Sequence, residues 1–390
     1  MRRVAIFDAR GEIWTLREAP FCSAMSKPKP TMKQKTPPRS LSTTDPERTI
    51  EFEFVRATEN AALNSLQWLG RGEKELADAS ACDAIYGVFD LVDVAGEVVI
   101  GEGIKDNAPG IFLGDQLGTW RAGSARFDIA LDPIDGTTNL AGGMPNAISV
   151  MAASERVAGE APAMRNLPAF YSTKLAYGPD VVRAIAGGIE PIALDDPLEK
   201  TLEKVAAALG KRVAELVVMT LNRPRHAEII ARVRAAGASL RMITDGDITA
   251  AVSPSLPDTG VDLYYGIGGS PEGVLTAAAM KALGGEMLLR MWPRDEAERR
   301  SLLDEVGETD LARVFNCADL VSGNSALFCA TGISDSPLLP GVQLFGHKAV
   351  THSVLMRERS RTVRYIRAVH DLQHKTIHLR SKRAESRLRP

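Results

Sequence analysis

Apolar residues recur at helical spacing through residues 47–70, at Phe54, Ala57, Ala61, Leu66 and Leu69, so this stretch is predicted to be an amphipathic helix. Asp45-Pro46 supplies its start, with proline in the first turn, and Gly70 and Gly72 end it. A second helix is expected over residues 75–94, stopped by Gly96. The period then shortens to that of strands at residues 97–100, 111–113, 127–131 and 147–153. Loops rich in glycine and proline cover residues 158–168. Beyond them strands at 216–220, 240–243 and 262–266 alternate with helices at 224–236, 246–252 and 271–283. Residues 351–372 alternate apolar and basic positions, as a two-faced strand pair does. The alternation predicts an α/β fold with its sites at the carboxyl ends of strands.

Composition narrows the picture. At 390 residues the chain has room for two halves, expected at 45–200 and 201–372, with a basic C-terminal tail at 373–390. Residues 1–44 are rich in Lys, Arg, Pro, Ser and Thr and read as a disordered tail, or as a start assigned too early, with Met25 or Met32 as the true one. Asp8, Glu12 and Glu18 within them argue against a transit peptide. The formal net charge of −2 provides no field for nucleic acid. Cys22, Cys82, Cys317 and Cys329 are scattered, which fits a reducing cytoplasm and no zinc site. No apolar run approaches the roughly 20 residues of a membrane helix.

Asp132-Pro133-Ile134-Asp135-Gly136-Thr137-Thr138-Asn139 is the most informative stretch. A strand runs into two carboxylates three apart, bounded by proline, glycine and hydroxyls. Carboxylates and free N–H groups at a strand end suit a hard divalent cation and a phosphate together. Three further acids stand beside glycine or at a helix start: Asp78, Glu102 in Ile100-Gly101-Glu102-Gly103, and Glu272 after Gly268-Gly269-Ser270-Pro271. Each alone has a plain structural reading as a turn or first-turn acid. As a set they require cations, because so many acids cannot share a dry pocket unneutralised. No histidine has metal-ligand spacing.

These residues resemble class II fructose-1,6-bisphosphatases of the bacterial type, some of which also accept sedoheptulose 1,7-bisphosphate. The likeness runs from about Phe54 to His370 and includes Thr58-Glu59-Asn60-Ala61-Ala62, Trp68-Leu69-Gly70-Arg71-Gly72, Asp132 to Thr137, Arg223-Pro224-Arg225-His226, Asp245-Gly246-Asp247, Tyr265 to Gly269, Ala330-Thr331-Gly332-Ile333 and Arg359-Ser360-Arg361-Thr362. It implies the lithium-sensitive sugar phosphatase superfamily, a layered α/β/α/β/α sandwich, and hydrolysis of the C1 phosphate of fructose 1,6-bisphosphate in carbohydrate metabolism and gluconeogenesis. It implies Mn²⁺ or Mg²⁺, one ion held by Asp78 and Glu102 and a second by Asp132, Asp135 and Glu272. Asp135, Gly136 and Thr137 would touch the reacting phosphate. Tyr171, Arg223, Pro224, Arg225, Asp245, Gly246, Asp247 and Gly269 would line the sugar and its distal phosphate. Thr137, paired with Asp106, would orient the attacking water.

The resemblance is imperfect at Asp135, where relatives often carry Glu, and at Thr137-Thr138-Asn139, which is also the inositol monophosphatase form. One alternative is therefore an inositol monophosphatase-like or nucleotide phosphatase. That group is expected to carry Trp-Asp at a late helix start, and none of Trp14, Trp68, Trp120 or Trp292 is followed by Asp. A non-catalytic sugar-phosphate-binding regulator is the other, but it should have lost a metal carboxylate, and all five positions are acidic. A homo-oligomer is expected, with the C-terminal strands as its interface or as a solvated edge.

Overall fold

Side chains of adjacent strand residues point to opposite faces, and the core divides accordingly. The computed structural model describes residues 45–101, 110–156 and 159–381; Glu102, Asp106 and residues 1–44 lie outside them. Four strands come first: β1 (Ala95–Ile100), β2 (Gln116–Leu117), β3 (Arg126–Asp135) and β4 (Ile148–Glu155). Then come β5 (Tyr171–Tyr177), β6 (Val217–Leu221), β7 (Ser239–Ile243), β8 (Leu263–Gly269) and β9 (Glu286–Trp292). The last are β10 (Leu327–Gly332), β11 (Gln343–Phe345), β12 (Lys348–Arg357) and β13 (Thr362–Asp371). One sheet has the order β11-β12-β10-β4-β3-β1-β2 with β13 on β12, and the other β7-β6-β8-β5-β9. The chain thus leaves the first sheet, builds the second and returns.

The helices are α1 (Pro46–Ser65), α2 (Lys74–Phe89), α3 (Thr137–Ala141), α4 (Pro179–Ala186), α5 (Leu198–Leu209), α6 (Ala227–Ala235), α7 (Asp247–Val252), α8 (Ser270–Leu283), α9 (Glu296–Ala312) and α10 (Cys317–Leu320). Ile129 and Leu131 of β3 pack with α1 and α2 on the outer face of the first sheet. Ala130, between them, faces inward and joins a cluster with α7, α8 and the inner residues Ala176, Met219 and Tyr264 of the second sheet. Leu175, Val218 and Leu263 point the other way, against α4, α5 and α6. Five layers result, α/β/α/β/α, with α7 and α8 as the middle one.

Two expected elements shift. Residues 111–113 form no strand: a single bridge at Phe112 leads into a turn at 113–114, where Asp115 Oδ2 accepts the Phe112 N–H at 2.9 Å, and the short strand follows as β2. Helix α2 ends at Phe89 rather than near Val94, because Val92 and Val94 carbonyls accept Thr119 N (3.0 Å) and Trp120 N (3.2 Å). Elements absent from the sequence reading are α3, β5, α4, α5, β9, α9, α10, β10 and β11. Residue 200, taken above as the division between halves, lies inside α5, and the described residues from 45 to 381 group as one compact unit.

Candidate active site

In a regular strand, residues three apart face opposite ways. Asp132 and Asp135 escape this rule because β3 bulges between them. Asp132 lies opposite Val150 of β4, and Asp135 opposite Ile148, so three steps on β3 match two on β4. Val150 and Ile148 both belong to the middle-layer cluster. The Pro133-Ile134 bulge therefore turns both carboxylates to one face. Asp132 Oδ1 accepts the Ile134 N–H at 3.0 Å and holds the bulge in shape.

Gly136 then turns left-handed at φ 93° and opens α3. The second sheet repeats the device: Asp245-Gly246, with Gly246 at φ 79°, opens α7. Each acid caps the other turn's helix. Asp135 Oδ2 accepts Ile248 N at 3.2 Å, and Asp245 Oδ2 accepts Thr138 N at 3.2 Å. Asn146 lies between the two glycines; a Cβ on Gly136 would come within 2.3 Å of its carbonyl oxygen, and one on Gly246 within 2.7 Å of its side-chain nitrogen. Its Nδ2 donates to the carbonyls of Asp245 (2.5 Å) and Gly246 (2.9 Å), and its Oδ1 accepts the Thr249 hydroxyl. Asn139 Nδ2 also donates to the Asp245 carbonyl, at 3.1 Å.

Helix α2 brings Asp78 to the same place. The Thr137 hydroxyl has one proton for two acceptors, Asp78 Oδ1 at 3.2 Å and the Ile134 carbonyl at 2.9 Å. Lys74, a turn earlier, donates to Thr138 Oγ1 at 3.0 Å. From the second sheet, β8 ends at Gly269, which precedes α8 and Glu272. The Glu272 carboxylate folds back so closely that a Cβ on Gly269 would approach its Oε2 to 1.9 Å. Tyr171 is paired with Gly269 across β5 and β8. Pro224 starts a single tight turn, Pro224–His226. Arg223, just before it, faces Asp245 Oδ1 at 3.5 Å. Arg225 lies with its guanidinium 4.3 Å over the Tyr171 ring and donates to the Ile267 carbonyl at 3.0 Å. Asp247 is buried against Lys174, with Nζ 2.7 Å from Oδ2.

The electrostatics are those of crowded acids. Burial, then the charges of Asp132, Asp247, Glu272 and Asp245, pushes the Asp135 carboxyl well above its usual range. Burial and Asp247 push Glu272 up, while Lys174 pulls it down. Glu272 Oε2 is buried with no hydrogen-bond partner among the described residues. An all-oxygen set with an orphaned buried carboxylate oxygen fits a hard divalent cation. Among the described residues no three His, Cys, Asp or Glu side chains already form a closed ligand set. The sequence reading missed Asn146, Lys174 and Lys74. Their signals, a lone Asn after Pro and lysines in unremarked positions, carry no spacing rule.

Acids, first-turn N–H groups and guanidiniums gathered at the carboxyl ends of strands in both sheets are the apparatus of a metal-dependent phosphoric monoester hydrolase. The comparisons narrow the class. A family model described as bacterial fructose-1,6-bisphosphatase, glpX-encoded, matches residues 48–370. Fructose-1,6-bisphosphatase 1 class 2 of Escherichia coli K12 is 39% identical over 343 residues, covering 84% of this chain and 97% of the relative. The class 2 enzyme of Shigella flexneri aligns at the same 39% and the same coverage. The chain belongs to the class II bacterial fructose-1,6-bisphosphatase family, whose members are metal-dependent hydrolases.

Two predictions follow from this geometry. Asn146→Gly tolerates the left-handed φ of 78° but strips three buried hydrogen bonds from the 245–249 turn. A stability loss of about 2–4 kcal/mol in urea unfolding is expected; a loss under about 1 kcal/mol would remove Asn146 as the link. The second concerns His226, buried with its Nε2 accepting the Ile267 N–H at 2.8 Å. Burial, then Arg225, lowers its pKa from 6.5 to about 4. The folded chain therefore refuses a proton that the unfolded chain accepts, and stability falls as pH drops from 6.5 to 4. Between pH 7 and pH 5 the wild type should lose about 2 kcal/mol more than His226→Gln, which retains an acceptor near Nε2. Parallel pH profiles for the two would refute the assignment.

Proposed function

We propose that this chain hydrolyses the C1 phosphate of fructose 1,6-bisphosphate, giving fructose 6-phosphate and phosphate. Family membership over residues 48–370 supports the substrate. The observation that carries the site is the β3 bulge, which turns Asp132 and Asp135 to one face beside the start of α3. Asp78 and Glu102 would hold one cation, and Asp132, Asp135 and Glu272 a second. Oxygen donors suit Mg²⁺ and Mn²⁺ alike. When bound, the cations neutralise phosphate charge and lower the pKa of a coordinated water.

The protein's own groups do the remainder. The N–H groups of Gly136 and Thr137 face the phosphate oxygens. Thr137 Oγ1 orients the attacking water, and Asp106 is the candidate to take its proton. The new bond joins the water oxygen to phosphorus as the bond from phosphorus to the C1 oxygen breaks, and a proton ends on the sugar hydroxyl. Arg223 and Arg225 grip the distal phosphate, since guanidinium forks match phosphate bidentately. Stacking on Tyr171 limits the freedom of Arg225 and prepares it for that contact. Asp245 orients Arg223, and Asp247, Gly246 and Gly269 shape the sugar pocket.

The same reading places the enzyme in the cytoplasm, acting on a small sugar bisphosphate and not on nucleic acid. No described helix is long and apolar enough to cross a membrane. Exposed Leu344, Phe345, Tyr365 and Val369, at the β11–β13 end of the first sheet, support a homo-oligomer.

Asp132→Asn is expected to leave phosphate release at background even in excess Mn²⁺; near-normal turnover would reject the site. For Arg225→Ala, KM for the bisphosphate should rise on the order of tenfold or more, with little change for a simple monophosphate ester. Equal effects on both substrates would reject the distal-phosphate role.

A further inference from the structure

Lys174 is a charged residue in a place built for an apolar one. On β5 it alternates with Leu175, so it shares the inner face with Ala176 and points at the middle layer. Its exposure is 0%. Its side-chain partner among the described residues is Asp247, at 2.7 Å. Two glycines keep room for the pair. A Cβ on Gly268, at the end of β8, would strike Asp247 Oδ2 at 1.6 Å and approach Lys174 Nζ to 3.3 Å. A Cβ on Gly273, in the first turn of α8, would approach Lys174 Cε to 3.3 Å. The lysine thus reaches the turn that carries Glu272.

A buried ion pair is no stabiliser in itself; a well-packed apolar pair of equal volume serves at least as well. The pair needs another reason, and the surrounding charge supplies one. Asp135, Asp245, Asp247 and Glu272 act on one another, and Lys174 is the cation that opposes them at Glu272. We infer that Lys174 is a resident counter-cation of the acid cluster, a positioning residue that fixes Asp247 and carries part of the positive charge the site needs, so that the acids stay folded in place before divalent cations arrive. The inference rests on the cation-dependent reading above.

The test is thermal unfolding of the full chain, stripped with chelator and then titrated with Mn²⁺. Wild type should gain Tm as Mn²⁺ is added; no gain at any concentration would overturn the cation reading and this inference with it. Lys174→Met should melt lower in chelator, gain more from Mn²⁺, and reach half its gain at a Mn²⁺ concentration roughly tenfold lower, because the site has become more negative. An equal Mn²⁺-induced gain in wild type and Lys174→Met would show a purely structural lysine. Should Lys174→Met not fold without metal, Asp247→Asn is compared with Lys174→Met/Asp247→Asn. The double variant should bind Mn²⁺ more tightly than the single one. Identical responses would mean that Lys174 serves Asp247 alone, and the inference would fall.

Discussion

The exchange of caps between two Asp-Gly turns is the constraint on which the site depends. Asp135 takes an N–H from α7, and Asp245 takes one from α3. Both helices are short, so neither holds its own first turn firmly. Each is completed by the acid of the other sheet. Neither turn can move without uncapping its partner, and the exchange fixes the first sheet's carboxylates relative to the arginines of the second. Asn146 makes the arrangement exclusive. It adopts a left-handed φ of 78°, and its side chain spans to the Asp245 and Gly246 carbonyls. Any side chain on Gly136 or Gly246 would displace it.

That geometry has an electrostatic cost. Drawing the two turns together also draws Asp132, Asp135, Asp245, Asp247 and Glu272 into one another's fields, in surroundings too dry to screen them. Three devices relieve the crowding. Backbone N–H groups meet Asp132, Asp135 and Asp245. Lys174 neutralises Asp247 from within the middle layer, and Arg223 faces Asp245 from the rim. Glu272 Oε2 is left buried with no hydrogen-bond partner among the described residues.

Sequence periodicity recovered the helices whose apolar residues face a single core, such as α1 and α8, and the strongly apolar strand β3. It lost those on the second sheet's far strands. In β5, Lys174 interrupts the apolar face, and in β9 the alternating Glu286-Met287-Leu288-Leu289-Arg290-Met291 is short and partly charged. The Asp-Pro-Ile-Asp-Gly-Thr motif was legible because its residue types are rare in combination. Its geometry was not, since period-two counting sets Asp132 and Asp135 on opposite faces, and only the pairing with β4 reveals the bulge. Asn146 was illegible for a related reason. Its partners lie about a hundred residues on, in a turn of the other sheet, and nothing local distinguishes it from a loop asparagine.

Chain order explains why such long-range links carry the site. The first sheet is begun by β1–β4 and finished by β10–β13, with the entire second sheet inserted between them. Asp132 and Asp135 lie on β3, between β1 and β4, and the other neighbour of β4 is β10, which follows the inserted sheet in the chain. A fold of this kind joins its halves through contacts of high sequence separation, which cost loop entropy before they return any stability. Placing the reciprocal caps and the Asn146 bonds at that junction couples closure of the two sheets to assembly of these carboxylates. The acids come together only when the core that holds them is complete, and the partially folded chain is spared a cluster of like charges it could not neutralise.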